Sequence, residues 1–370
     1  MCYEYTNLCF CYFRTMKKYR VIGIMSGTSL DGLDIAYCIF HKKKMWVCNI
    51  KYAETIKYSK EWKRRLAHAF NLNKKGLQAL DTELGGFIGA EIVKFTRRKK
   101  IISDLIASHG HTVFHQPAQG ITLQIGDGKK IAGITKLPVV CDFRSGDVRL
   151  GGQGAPLVPL VDKMLFSHYT FCLNLGGFAN ISYDQSGKRI AFDICPVNIV
   201  LNDLANRLGK EFDKAGKAAS EGSIHLPLLS RLNGLSFYRS KAPKSLGREW
   251  AEEVFMPILD SFNISVKDKL RTVAEHVAIQ IAAAVNLKSN RPNSSLLVTG
   301  GGAYNRFLIK RISFHANCNV ILPGDKTIQF KEAMAFALLG VLKVRGEINI
   351  LKSVTGAKKD SSGGKIFLPA

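Results

Sequence analysis

Two stretches of this chain follow one plan, and that repetition narrows the available folds more than any other feature. From Val21 to Ile24 a β-branched run enters Met25-Ser26-Gly27-Thr28-Ser29-Leu30-Asp31-Gly32, and the chain leaves through Leu33 to Phe40. Later, Phe171 to Leu175 enters Gly176-Gly177 and leaves through Phe178 to Tyr183. A strand, a small-residue turn with polar side chains and a second strand, once in each half, predict a duplicated α/β fold. A third buried strand, Ser295 to Thr299, opens onto Gly300-Gly301-Gly302 ahead of a helical pattern, where bare backbone can meet a nucleotide.

The first turn has the chemistry of a phosphate cradle. Glycine admits positive φ and close backbone approach, the hydroxyls suit phosphate oxygens, and Asp31 or Asp34 can reach a metal through water. It is not a P-loop, because the Gly-Lys-Ser/Thr element is missing and a strand follows in place of a helix. Read alone, it is first of all a hairpin.

The rest of the chain supplies connections and candidate ligands. Lys60 to Phe70 and Lys75 to Arg97 carry apolar residues at helical spacing, ending in the basic run Arg97-Arg98-Lys99-Lys100. Ile101 to Ala107 reads as a buried strand opening onto a loop with His109, His111 and His115. No carboxylate or cysteine sits among these histidines at matched spacing, so the loop reads as substrate-facing and not as a metal centre. Leu137 to Arg144 reads as a strand running into Gly151-Gly152-Gln153-Gly154-Ala155-Pro156, a glycine-rich hinge. With 370 residues the chain holds two domains. The expected division gives residues 16–150, joined by a C-terminal segment at about 340–370, to the first domain and 151–339 to the second. Residues 1–15, aromatic and cysteine-rich, read either as a non-native or disordered extension ahead of a start at Met16, or as a real, loosely attached one.

Composition excludes several classes. With 46% hydrophobic and 22% charged residues the chain is globular. Its longest apolar runs fall short of the roughly 20 residues of a membrane helix, and the cytoplasm is the expected compartment. Nine cysteines without a CxxC pair read as reduced, mostly buried thiols, and Cys2, Cys9 and Cys11 lack the second ligand pair of a metal site. The net charge of +24 alone would propose a nucleic-acid binder. Its groups, Lys42 to Lys44, Lys63 to Arg65 and Arg97 to Lys100, are dispersed without an aromatic platform, so no nucleic-acid or membrane partner is expected.

Eight strings carry a resemblance to a known family. They are GIMSGTSLDGLD at 23–34, SHGHTVFHQP at 108–117, DFRSGDVRLGGQGAPLVP at 142–159, NLGGFANIS at 174–182, FDICPVN at 192–198, TGGGAYN at 299–305, EAMAFALLG at 332–340 and SVTGA at 353–357. Together they resemble the anhydro-N-acetylmuramic acid kinases, members of the actin-like, sugar-kinase and Hsp70 ATPase fold. That fold is a two-domain α/β architecture of duplicated ribonuclease H-like domains with an interdomain cleft.

The resemblance implies an ATP- and Mg²⁺-dependent kinase of peptidoglycan recycling, acting on a small amino sugar. Water opens 1,6-anhydro-N-acetylmuramic acid, and the freed 6-oxygen takes the γ-phosphoryl group. One general base serves both events, and the residue matching the family's base is Asp193. Glu332 resembles the family's second acidic residue, although a glutamate at a helix start also satisfies the dipole. Gly27, Thr28, Ser29, Leu30, Asp31, Gly32, Leu33 and Asp34 carry over as the ATP-phosphate turn, with Mg²⁺ reached through water by Asp31. Gly176 and Gly177 form the second turn, and Gly300, Gly301 and Gly302 approach the adenosine. His109, Arg144 and Asn198 are assigned to the sugar. Arg144 suits the lactyl carboxylate, and an ion pair with Asp142 or Asp147 is the alternative. The chain departs from the family pattern at Ile194, Cys195 and Val197, and His111 stands where a glutamine is frequent. A homodimer is compatible with this reading. Another sugar kinase of the same fold, or a non-enzymatic ATP-binding module, would share the turns.

Overall fold

The computed structural model describes residues 13–27, 30–242, 244–286 and 293–369, and within them both repeated units are antiparallel hairpins at the heart of a sheet. In the first, β1 (Lys18–Ser26) pairs antiparallel with β2 (Gly32–Lys42), in a register that sets Met25 opposite Asp34. On its other side β1 runs parallel to β4 (Leu105–Gln116), which is parallel to β6 (Val139–Cys141). The seven strands follow the order β12-β6-β4-β1-β2-β3, with β5 (Ile121–Ile125) added to β4. The outer strands are β3 (Trp46–Lys57) and β12 (Lys365–Phe367).

The second sheet has the order β11-β10-β7-β8-β9. Here β7 (Phe171–Leu175) pairs antiparallel with β8 (Phe178–Gln185), β8 antiparallel with β9 (Lys188–Pro196), and β7 parallel with β10 (Ser295–Thr299). β10 in turn runs parallel to β11 (Asn319–Ile321). Five strands of each sheet therefore share one order and one set of directions, which is the duplication anticipated from the two hairpins.

The chain divides into two units, one ending at Leu165 and resuming at Phe330–Ala370, the other spanning Phe166–Gln329. The divisions fall later than 150 and earlier than 340. The glycine-rich stretch belongs inside the first unit, because Asp147 binds it there. The fully buried Asp147 carboxylate accepts from Gly154 N–H and from Thr355 Oγ1, both at 2.8 Å, while Gln153 N–H donates to Thr355 O. Gly154, at φ +65°, turns its N–H onto that carboxylate, so the segment is tied down where a hinge was expected.

The core of the first unit gathers Ile22, Ile24, Leu33, Ile35, Ile88 and Phe95, and that of the second Leu173, Leu175, Ile181, Val277 and Val298. The expected helices form at Lys60–Ala67 and Lys74–Lys99. Ser59 and Asn73 accept backbone N–H groups at their starts, as short polar N-caps do. The basic groups at 42–44, 63–65 and 97–100 are mostly solvent-exposed. β4 is longer than expected: the histidine stretch continues the strand, because β5 pairs antiparallel with it from His111↔Ile125 to Gln116↔Ile121. Ile101 and Ile102 stay outside it, with Ile102 exposed.

The last long helix, Asp325–Val344, leaves helical geometry at Phe330 (φ −112°, ψ 15°), where the first unit resumes. Beyond that kink it presses on the sheet so closely that a Cβ on Gly23 would lie 1.9 Å from Ala333 O. Gly23→Val should therefore cost about 3 kcal/mol or more, read as a lower urea midpoint. Gly177→Ala, where a Cβ meets nothing within 4 Å, should leave the midpoint unchanged.

Six described cysteines are free thiols, and Cys2, Cys9 and Cys11 lie outside the described residues. Of the expected extension, residues 1–12 lie outside them too. Phe13 is buried and its carbonyl accepts from Tyr19 OH at 2.6 Å, so the chain is attached from at least that point. Among the described residues no helix is long and apolar enough to cross a membrane.

Candidate active site

In the first unit the turn between β1 and β2 brings carboxylates together. Leu30 adopts φ +59° and its N–H donates to Gly27 O at 3.3 Å, while Thr28 and Ser29 lie outside the described residues. Asp31 is exposed, whereas Gly32, Leu33 and Asp34 already belong to β2. Gly32 is required by packing as well, since a Cβ there would meet Ile56 O at 2.5 Å. Asp34 accepts from Thr55 Oγ1 at 2.5 Å. Burial raises its pKa to about 6, the Thr55 bond opposes this, and the charges of Glu332 and Asp31 add to the rise.

Glu332 lies two residues past the Phe330 kink. Burial raises its pKa, and the Arg144 and Lys331 charges oppose the rise. Lys331 is held in a buried ion pair with Asp162 at 2.7 Å. Arg144 answers the question its neighbours posed. Asp142 pairs with Lys365 at 2.8 Å and Asp147 binds Gly154 and Thr355, so neither is the ion-pair partner of Arg144. Arg144 instead donates through Nη1 to Gly154 O at 2.6 Å and through Nε to His109 Nε2 at 3.0 Å. Burial lowers its pKa to about 10, which still leaves it a cation at neutral pH. Because His109 Nε2 accepts, its proton sits on Nδ1, 3.0 Å from Gly110 O. Burial and the Arg144 charge hold that imidazole neutral, and its ring packs on Phe336.

A second chain of polar groups lies beside the turn. Tyr58 OH donates to Ser26 Oγ at 2.8 Å, and Ser26 Oγ lies 3.2 Å from His111 Nδ1. Burial lowers the His111 pKa to about 4, so the ring is neutral beside the serine hydroxyl. Tyr58 is a residue that the sequence reading missed. It follows β3, 32 positions from Ser26, and no local pattern announces it.

In the second unit the glycines converge. Gly177 O accepts from Val197 N–H at 2.8 Å, and Gly176 O from Asn198 N–H at 3.3 Å, so the β7–β8 turn caps the helix Asn198–Asn206. Asn198 Nδ2 donates to Leu175 O at 3.2 Å. Gly300, at φ +84°, leaves no room for a side chain: a Cβ would meet Asn174 Oδ1 at 2.7 Å and Leu175 O at 2.8 Å. Gly302 is buried against Leu175, while Gly301 and Gly177 are exposed backbone. Ile194, Cys195 and Val197, the departures from the family pattern, are buried and fill the core.

Asp193 lies in β9, opposite Asn180. Its Oδ2 accepts from Leu246 N–H at 2.9 Å, and its own N–H donates to Lys244 O at 3.1 Å. Burial raises its pKa and the Leu246 bond pulls the other way. A carboxylate with one oxygen anchored and an affinity for protons above the ordinary is suited to general-base work.

The family model for anhydro-N-acetylmuramic acid kinases matches residues 19–369. The chain belongs to that family. The anhydro-N-acetylmuramic acid kinase of Crocosphaera subtropica is 33% identical over 382 residues, covering 94% of this chain and 98% of that protein. That of Vibrio parahaemolyticus is 34% identical over 365 residues, with 94% and 97% covered. Among solved structures, (R)-2-hydroxyglutaryl-CoA dehydratase component A of Acidaminococcus fermentans is similar at 12% identity and a TM-score of 0.46, over 88% of this chain and 99% of that one. As an anhydro-N-acetylmuramic acid kinase family member with two like-ordered sheets, the chain has the actin-like α/β fold. The match takes in Asp34, Arg144 and Glu332 of the first unit and both Asp193 and Gly300–Gly302 of the second.

Proposed function

We infer that this chain phosphorylates 1,6-anhydro-N-acetylmuramic acid with ATP and water, giving N-acetylmuramic acid 6-phosphate and ADP in cell-wall recycling. The observation that carries the reading is the family match over residues 19–369, which includes Asp193 with one carboxylate oxygen anchored by Leu246. Asp193, ionised, takes a proton from water as the water oxygen bonds to the anomeric carbon. The bond from that carbon to the bridging 6-oxygen breaks, and the 6-oxygen accepts the γ-phosphoryl group. Glu332 orients the water, and Arg144, whose hydrogen bonds go to Gly154 O and His109 and to no carboxylate, receives the lactyl carboxylate with His109 fixing its guanidinium. Gly27–Asp34 receive the phosphates, the exposed backbone of Gly177 and Gly301 meets the nucleotide, and Asn198 holds the β7–β8 turn beside it.

Mg²⁺ bound with the nucleotide supplies neutralisation of phosphate charge. Asp31, exposed beside the turn, and Asp34 are the carboxylates that would reach that cation through water. The free thiols suit a reducing compartment, and we place the reaction in the cytoplasm.

Incubating the full chain with ATP, Mg²⁺ and the anhydro sugar in ¹⁸O-water tests this reading. The expected product is a ring-opened 6-phosphate with one labelled oxygen at the anomeric carbon and one ADP per sugar. Phosphorylation without label, or of unbridged sugars alone, would assign the chain to ordinary sugar-kinase chemistry.

A further inference from the structure

β9 is the outer strand of its sheet, so among the described residues its outer edge at Asp193 has no strand partner. Lys244 and Leu246 cover that edge, through the bonds to Asp193 N–H and Oδ2 already described. What holds them there is a set of directed contacts further back. Lys244 Nζ donates to Phe237 O at 3.0 Å and lies over the Phe237 ring, 4.5 Å from its centroid, and the Phe192 ring at 5.9 Å. The next residue, Tyr238, places its hydroxyl 2.9 Å from Nε2 of His276, a fully buried side chain in the helix Val266–Asn286.

The hydrogen-bond directions follow from the far end of this chain. Asn233 Oδ1 accepts from Gln280 Nε2 at 2.9 Å and lies 2.7 Å from His276 Nδ1. An oxygen there requires the imidazole proton on Nδ1, which leaves Nε2 to accept from Tyr238. Burial holds the His276 pKa at about 3, so the ring stays neutral and this arrangement persists across the working pH range.

We propose that Tyr238 and Lys244 are positioning residues that seat the Leu246 N–H on Asp193 Oδ2, leaving Oδ1 to take the proton. The proposal rests on the reading of Asp193 as the general base. The titratable group acting on Asp193 from its own strand is the buried Cys195 thiol, on which the Lys244 ammonium and the Tyr238 hydroxyl act in turn, and the uncharged Asn180 lies opposite on β8. Both the thiol and the phenol are pushed up by burial and stay protonated, so Asp193 is the group of this set that titrates on the acid side.

The test compares Tyr238→Phe, Lys244→Met and Lys244→Arg in the full chain, with kcat followed against pH. Losing a donor to a carboxylate raises its pKa. Tyr238→Phe and Lys244→Met should move the acid limb of kcat up by about one pH unit, so that kcat falls about tenfold at pH values below the wild-type limb and recovers as pH rises past it. KM for ATP should stay within about twofold, and Lys244→Arg, which keeps a cation over Phe237, should restore the limb. A lower Tm with the wild-type acid limb in both variants would overturn the positioning role. Asp193→Asn run alongside separates the two readings: an inactive Asp193→Asn with unmoved limbs sinks positioning alone, whereas a fully active one sinks the base assignment beneath it.

Discussion

Replacing Asp193 by Asn is expected to lower kcat by about 10³-fold, the range that a well-placed general base contributes. The amide keeps the size of the side chain and an oxygen for the Leu246 N–H, so the substitution removes proton acceptance with little change in packing. ATP affinity should therefore stay near wild type while ADP release with the anhydro sugar nearly stops. The pH profile supplies an independent check. A base works ionised, and burial raises the Asp193 pKa, so wild-type kcat should fall as pH drops through a limb above the usual carboxylate value of about 4. Asp193→Asn should lose that limb along with the rate. A variant that turned over at the wild-type rate, or kept the same acid limb, would remove Asp193 from the proton transfer.

The parts of this molecule that were legible in the sequence are those written in consecutive residues. Val21–Phe40 and Phe171–Tyr183 announced their hairpins because alternation and a glycine turn are local signals, and the glycines at 300–302 followed their strand as expected. What escaped depended on partners far along the chain. The histidine stretch read as a loop until β5 supplied hydrogen bonds to its backbone. The glycines after 150 read as a hinge because nothing local shows that Asp147 accepts from Thr355, 208 positions away. Glu332 was expected in the second domain, since no sequence pattern marks the kink at Phe330 that returns the helix to the first. Asp193 itself came from the family motif, while its anchoring came from Leu246, 53 positions on.

Arg144→Gln is expected to raise KM for the anhydro sugar by about 100-fold, as a charge-assisted bidentate contact contributes roughly 3 kcal/mol. Arg144 is a deeply placed cation whose own hydrogen bonds go to neutral groups, Gly154 O and His109 Nε2. Burial makes that cation costly and the Glu332 charge offsets only part of the cost, so a carboxylate arriving with the substrate would offset more of it. Glutamine retains a donor for Gly154 O, which limits the structural damage. The decisive comparison uses a sugar without the lactyl group, the anhydro form of N-acetylglucosamine. Wild type should discriminate strongly between the two sugars and Arg144→Gln should not, because the variant loses only what the carboxylate contributed. Equal losses for both sugars would mean that Arg144 supports the fold around His109 and Gly154 and does not read the substrate. Glu332 adds a second readout, since the Arg144 charge opposes the rise in its pKa. Removing that charge should shift any ionisation of Glu332 seen in kcat/KM to higher pH, a change that loss of sugar contact alone would not produce.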